Sequence, residues 1–253
     1  MFNSLGEYQK AKEYHEKALA TATEIGDKQG EGDINSNLGA VFYSLGKYQK
    51  AKEYYEGALA IAIEIGNRLG EGTMNGNLGA MFHSLSEYQK AKKYHEKALA
   101  IAIEIGDIRG EGNINRKLGV VFQSLGEYQT AKEYHKKALA IAIEIGDRKG
   151  EGSTYSSLGD VYFALGKNRK AKEHLDKAVD VGLAIGDRYL EAQATQSLAA
   201  VFASVNDYQK AKEHCEKALT FCRECGTREL EAGIYLSLGN IYQSLGESGK
   251  AED

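Results

Sequence analysis

The chain has 253 residues, 42% of them hydrophobic and 27% charged, with a formal net charge of −4 at pH 7. That balance suits a chain able to bury a core in water. It lacks the basic excess with which nucleic-acid binders displace counterions, so no nucleic-acid partner is expected. The longest wholly apolar runs, such as "ALAIAI", fall far short of the roughly 20 residues that span a bilayer, so no membrane partner is expected either.

In chain order, the opening "MFNSLG" matches "MFHSLS" at 81–86, which predicts the tail of a helix whose front half is missing and a partial repeat over 1–26. Met1 thus leads straight into repeat material, without a secretory pattern. Complete 40-residue units follow at 27–66, 67–106, 107–146, 147–186 and 187–226, with no insertion or deletion, and a partial unit at 227–253 stops at "KAED". Both ends fall inside a unit and neither has the polar cap that solenoids need, which leaves an apolar face around Ala11, His15, Leu19 and Ala22, and another near Leu238 and Tyr242, without full cover. The sequence reads as a piece of a longer array that self-associates weakly end to end.

Each unit predicts two helices. Helix A follows a Gly-Asp turn, as at Gly26-Asp27 and Gly106-Asp107, where glycine can end one helix in the left-handed conformation and aspartate can cap the next. It closes at Leu45-Gly46. Helix B runs from Lys47 to about Ile65, with Tyr48, Ala51, Tyr55, Ala58, Leu59, Ala62 and Ile65 spaced for one buried face. The absence of proline fits a chain that is helical nearly throughout. Two such helices joined by a two-residue turn pack antiparallel, and one hairpin cannot bury both faces, so hairpins must stack.

Leu38-Gly39, Phe42, Ala51, Tyr55 and Ala58 recur as Leu78-Gly79, Phe82, Ala91, His95 and Ala98, then as Leu118-Gly119, Phe122, Ala131, His135 and Ala138. In these columns the chain resembles the tetratricopeptide repeat family along its whole length. The resemblance implies an all-α, right-handed superhelical solenoid of antiparallel helix pairs, with helix A lining a concave groove and no catalytic role. The family's early tryptophan is replaced by Asn35, Asn75, Asn115 or Tyr155, and its closing proline is absent. The long "GD..GEG......LG" units resemble the repeats of the Pins/LGN adaptors and their many-repeat invertebrate relatives, and more distantly kinesin light chain. Those adaptors carry arginine directly after "EG", where this chain has Asp33, Thr73, Asn113 and Ser153.

Differences between the near-identical units gather at five places in helix A. They are Asp33, Ser36, Asn37, Ala40 and Tyr43 in the first complete unit, and Thr73, Gly76, Asn77, Ala80 and His83 in the second. The third has Asn113, Arg116, Lys117, Val120 and Gln123, and the fourth Ser153, Ser156, Ser157, Asp160 and Phe163. This spacing puts them on one helical face. By the resemblance that face lines the groove, so the stripe is the expected peptide-binding site, whereas the solvent-facing letters of helix B hardly change. Asn37 and Asn77 would hold the backbone of an extended peptide, and Arg116 and Lys117 would meet an acidic side chain or C-terminal carboxylate. Asp160 would repel a ligand acidic along its whole length.

Other chemistry is weaker. "HCEKALTFCREC" offers His214, Cys215, Cys222 and Cys225, but the cysteines stand in the columns of Tyr55, Ala62 and Ile65, which points to packing rather than a metal or redox site. They form no disulfide framework, so a reducing, cytoplasmic setting is expected. His15, His95 and His135 alternate with Tyr55 in one packing column. No catalytic constellation lies outside the repeat columns, and no cofactor or metal is expected. Two functions stay open: a non-catalytic scaffold that binds an extended or helical protein segment in its groove, or a structural, self-associating array with no specific groove ligand.

Overall fold

The computed structural model describes the backbone of residues 2–251 and the side chains of residues 7–246. Among the described residues it has twelve α-helices and no strand: α1 Phe2–Ile25, α2 Lys28–Ser44, α3 Tyr48–Glu64, α4 Arg68–Ser84, α5 Tyr88–Ile105, α6 Ile108–Ser124, α7 Tyr128–Glu144, α8 Arg148–Ala164, α9 Asn168–Ile185, α10 Arg188–Ser204, α11 Tyr208–Cys225 and α12 Arg228–Ala251. Even-numbered helices are type A and odd-numbered ones type B.

The predicted punctuation explains where these helices begin and end. Asp27, Asn67, Asp107, Asp147 and Asp187 each accept a hydrogen bond from the amide three residues on, at 2.8 to 3.1 Å. Each cap satisfies a donor that the first helical turn leaves free. Helix A ends with the next residue in the left-handed region, as at Gly46 (φ 68°), Gly126 and Gly166. Ser86 and Asn206 take the same conformation at the equivalent positions, with φ 58° and 61°. Asparagine tolerates this and serine does so at a cost.

The chain forms two compact units, Met1–Leu125 and Gly126–Asp253. In the first, α2 pairs with α3 and α4 with α5, and each pair packs on the next helix A. Its core joins Leu38, Phe42, Ala51, Tyr55, Leu78 and Phe82. In the second, α8 pairs with α9 and α10 with α11, around Leu158, Leu175, Leu198, Ala211 and Cys215 among others. Successive A-type helices also touch one another, α4 with α6 and α8 with α10. The seams between these helices decide what a ligand could reach on the A side of each unit.

Helix A is held onto helix B by a close approach. A Cβ placed on Gly39 would stand 2.5 Å from Tyr55 Cδ1, one on Gly79 2.5 Å from His95 Nδ1, and one on Gly159 2.5 Å from Leu175 Cγ. Arg68 and Arg188 add a tie that the sequence reading missed. Each pairs with a glutamate one turn along its own helix, Glu71 or Glu191, and with Glu104 or Glu224 at the end of the partner helix B.

Three expectations are corrected. Helices α1 and α12 run without a break through Leu5-Gly6 and Leu245-Gly246, where turns were expected. The turn is favoured where two full helices can fold back onto each other; without that contact, a continuous helix through glycine costs only about 1 kcal/mol. The expected helix A tail over 1–6 and the first turns of a helix B at "KAED" lie outside the described side chains. Ile65, assigned to the buried face, is exposed, and Cys225 in its column is half-buried, with its Sγ 3.1 Å from Thr227 Oγ1. Helix B has by then run past the core. The α1 stripe expected to lie bare is partly covered: Ala22 is buried, Leu19 packs on the core, and His15 and Ala11 are half-buried.

Candidate functional site

The five variable columns do not share one environment. Asp33, Asn37, Ala40, Thr73 and Asn113 are exposed, and Asn77, Arg116, Lys117, Ser153, Ser157 and Asp160 are half-buried. Ser36 is half-buried, but Ser156 in its column is only 2% exposed, so it leaves the list of ligand-facing residues. The reason is register: a Cβ on Gly76, in the same column, would lie 3.3 Å from Ile114 Cδ1 of the next helix A. That column faces the seam between A-type helices rather than open solvent.

The last column is also largely structural. The Tyr43 hydroxyl lies 2.6 Å from Ser84 Oγ, and His83 Nε2 lies 3.0 Å from Ser124 Oγ, each pair joining successive A-type helices. Their rings also pack at the turn to helix B, Tyr43 on Tyr48 and His83 on Tyr88. Phe163 packs against the core of the second unit, and Gln123 is half-buried.

The constancy of helix B has a structural cause as well. Lys50, Lys90, Lys170 and Lys210 place their ammonium groups 5.3 to 5.8 Å from the centroids of Phe42, Phe82, Tyr162 and Phe202. Lys92 and Lys212 lie 5.1 Å from the centroids of Phe122 and Tyr242 of the next helix A. A cation over a ring is worth about 0.5–1 kcal/mol at exposed sites. These lysines are therefore held by packing, and their sameness does not by itself make the variable stripe functional.

What marks the A side of the first unit is a pair of cavities. One, of about 340 Å³, opens between α2, α3 and α4; the other, of about 210 Å³, opens between α4, α5 and α6. They are the same site one unit apart. Their apolar lining from helix B is Ile61, Ala62 and Ile65 in the first and Ile101, Ala102 and Ile105 in the second. Their rims carry the changing letters: Asp33, Ser36 and Thr73 in the first, and Thr73, Asn77, Asn113 and Lys117 in the second.

The rims differ electrically. Asp33 accepts a hydrogen bond from Gln29 Nε2 at 3.0 Å. Burial holds the Lys117 ammonium below the usual lysine range, and the neighbouring Arg116 charge adds to this. Among the described residues no carboxylate forms an ion pair with Lys117. In the second unit, burial pushes the Asp160 carboxyl up to about 6, offset in part by a hydrogen bond from Ser197.

The cysteine cluster behaves as packing. Cys215 and Cys222 are buried and free, burial pushes the Cys215 thiol up to about 11, and among the described residues no group of three potential metal ligands converges. Buried thiols of this kind are unreactive. Among the described residues no helix is long and apolar enough to cross a membrane.

The tetratricopeptide repeat profile matches residues 1–56, 30–104 and 110–183. The chain belongs to the tetratricopeptide repeat family. No curated protein sequence matches it. Among solved structures, BtubC (BKLC) from P. vanneervenii is similar with a TM-score of 0.76 and 19% identity, over 87% of this chain and 92% of that one. A signal transduction ATPase with a tetratricopeptide repeat sensor from Pyrococcus horikoshii gives 0.75 and 21% identity, over 92% of this chain but 37% of its own. The Rap conjugation gene regulator of the plasmid pLS20, in complex with the Phr* peptide, gives 0.71 and 17% identity, over 90% of this chain and 66% of its own. At such identities the likeness is one of fold.

Proposed function

We propose that this tetratricopeptide repeat chain, whose long units resemble those of the Pins/LGN adaptors, is a non-catalytic, cytoplasmic scaffold that holds an extended protein segment along its A-type helices. The observation that carries this reading is the coincidence of variation and vacancy. Units that are otherwise near copies differ at the rims of two open cavities whose helix B lining, Ala58, Ile61, Ala62 and Ile65 in one and Ala98, Ile101, Ala102 and Ile105 in the other, does not change. A cavity whose helix B wall is constant and whose rim varies suits a ligand gripped in the same way by each unit and read differently by each. The peptide-bound Rap regulator of like fold is consistent with it. Free thiols fit a reducing compartment.

Asp33, Asn37, Thr73, Asn77, Asn113, Arg116 and Lys117 are the contact residues of this reading in the first unit, with Ser153 and Asp160 as candidates in the second. Peptides selected from a displayed random library on the intact chain test it. Replacing Arg116 and Lys117 together by glutamine should weaken the selected peptides at least about tenfold, or ~1.4 kcal/mol, with melting nearly unchanged. The exposed pair Lys93 and Lys97, changed in the same way, should have little effect. Equal binding by both double variants, or a library that enriches nothing, would point instead to a structural array with an inert groove.

A further inference from the structure

The second unit contains a natural experiment on these cavities. Its seam between α8, α9 and α10 repeats the register of the two open ones: Gly152 stands where Gly32 and Gly72 do, and Val181 where Ile61 and Ile101 do. The difference is Leu190, which occupies the column of Gly70 and Gly110. Leu190 is 3% exposed, and a Cβ on Gly152 would lie 2.5 Å from its Cδ2 and 2.8 Å from Val181 Cγ1. Its isobutyl group thus fills the place that Gly70 and Gly110 leave open. The chain itself shows which side chain the walls accept.

Glycine is not demanded there by the backbone. Leu190 donates its amide to the Asp187 cap at 3.1 Å, as Gly70 and Gly110 donate to Asn67 and Asp107. None of these glycines has positive φ. The accommodation is local: Gly182 replaces Ala62 and Ala102, letting α10 close onto α9 around the fully buried Glu191. The open cavities are therefore a feature of these units and not a necessity of the fold.

We propose that the two cavities of the first unit take two leucine-like side chains of one extended peptide, about three residues apart, with an acidic residue beside the second, at Lys117. This rests on the groove-binding reading above. The spacing follows from packed helices lying roughly 8–10 Å apart and a peptide in the polyproline II form, which rises about 3.1 Å per residue and returns every third side chain to the same face. The order follows from charge. Lys117 at the second cavity, beside Arg116, complements an acid, whereas Asp33 at the first would repel one.

The test uses the intact chain and a short labelled peptide bearing two leucines three positions apart and an aspartate directly after the second, read by fluorescence anisotropy. Exchanging both leucines for alanine, or the aspartate for lysine, should weaken binding at least about tenfold. Gly110→Leu should do the same by plugging the second cavity; its Cβ presses on the Asp107 carboxylate, which must turn aside as Asp187 does while capping Leu190. If that variant loses helicity, Gly110→Leu with Ala102→Gly reproduces the natural pairing of Leu190 with Gly182. Independently of any variant, methyl resonances of Ile65 and Ile105 should shift with the leucine peptide and not with its alanine version.

Equal binding of the leucine and alanine peptides, no measurable binding of the leucine peptide, or full binding by a folded plugged variant would each overturn the proposal. The groove-binding reading then survives if library-selected peptides still bind and are lost when Arg116 and Lys117 become glutamine. It falls with the proposal if they are not.

Discussion

His95 shows how far one side chain's chemistry is set by its place in the repeat. Its ring lies against Gly79 in the column that holds Tyr55 one unit earlier, and its Nδ1 has no hydrogen-bond partner. Burial lowers its pKa to about 3, and the charges of Lys117 and His83 add to the shift. A histidine neutral in the fold and titrating near 6.5 when unfolded binds fewer protons in the folded state. Stability is therefore intact above about pH 6.5 and is lost as pH falls from there toward 3, by up to ~1.4 kcal/mol per unit of pH. His95→Tyr, which copies Tyr55, should flatten that loss. Melting followed by circular dichroism at pH 7 and pH 5 should show a smaller difference for the variant than for the parent, and equal differences would refute the assignment. Asp160 has the opposite sign, because a carboxyl raised to about 6 disfavours folding as pH rises from about 4 toward 6. The packing role of the histidine column was readable from alignment against Tyr55. Its depth of burial was not, because that depends on how closely helix A approaches.

At the scale of the element, the hairpin is held by a match of small against large. Gly39, Gly79 and Gly159 receive Tyr55, His95 and Leu175. Where the glycine becomes Ala199, the facing column holds the smaller Cys215, and both lie in the same core cluster. Gly39→Ala alone should therefore overpack the hairpin and cost ~1–3 kcal/mol. Combined with Tyr55→Cys, it should cost less than the sum of the two single changes by at least about 1 kcal/mol, as expected for residues in contact. Urea unfolding of the four proteins of the cycle measures this, and additivity would show the two columns to be independent. The same size logic distinguishes the open seams at Gly70 and Gly110 from the filled one at Leu190. Column by column, the letters were all visible in the sequence. That a glycine three residues after the cap leaves a cavity became visible only with the next helix A in place.

At the scale of the whole molecule, the exposed apolar surface has moved from where the sequence put it. On α1 the exposed groups are Tyr8, Tyr14 and Ile25, since α2 covers much of the stripe around Ala22. On α12 they are Tyr235, Leu236 and Tyr242, whereas Leu238, named with Tyr242 from the sequence, is buried. Exposed apolar groups clustered on one helix seek cover, and a net charge of −4 on 253 residues opposes association only weakly. Sedimentation should show weak, concentration-dependent association that Leu236→Lys reduces. A strictly monomeric parent at high concentration would contradict this.

The sequence by itself determined the helices, their caps and turns and the pairing of A with B, because those follow from local propensity and from columns repeated every 40 residues. It also singled out the face on which the units differ. Only the tertiary structure decided which letters of that face look outward. Ser156 is buried, Tyr43 and His83 tie successive A-type helices together, and Asp33, Asn37, Thr73 and Asn113 remain exposed. The physical reason is that a single helix specifies the direction of each side chain only relative to its own axis. Whether that direction meets solvent, a cavity or a neighbour is set by the rotation and distance of the next helix A.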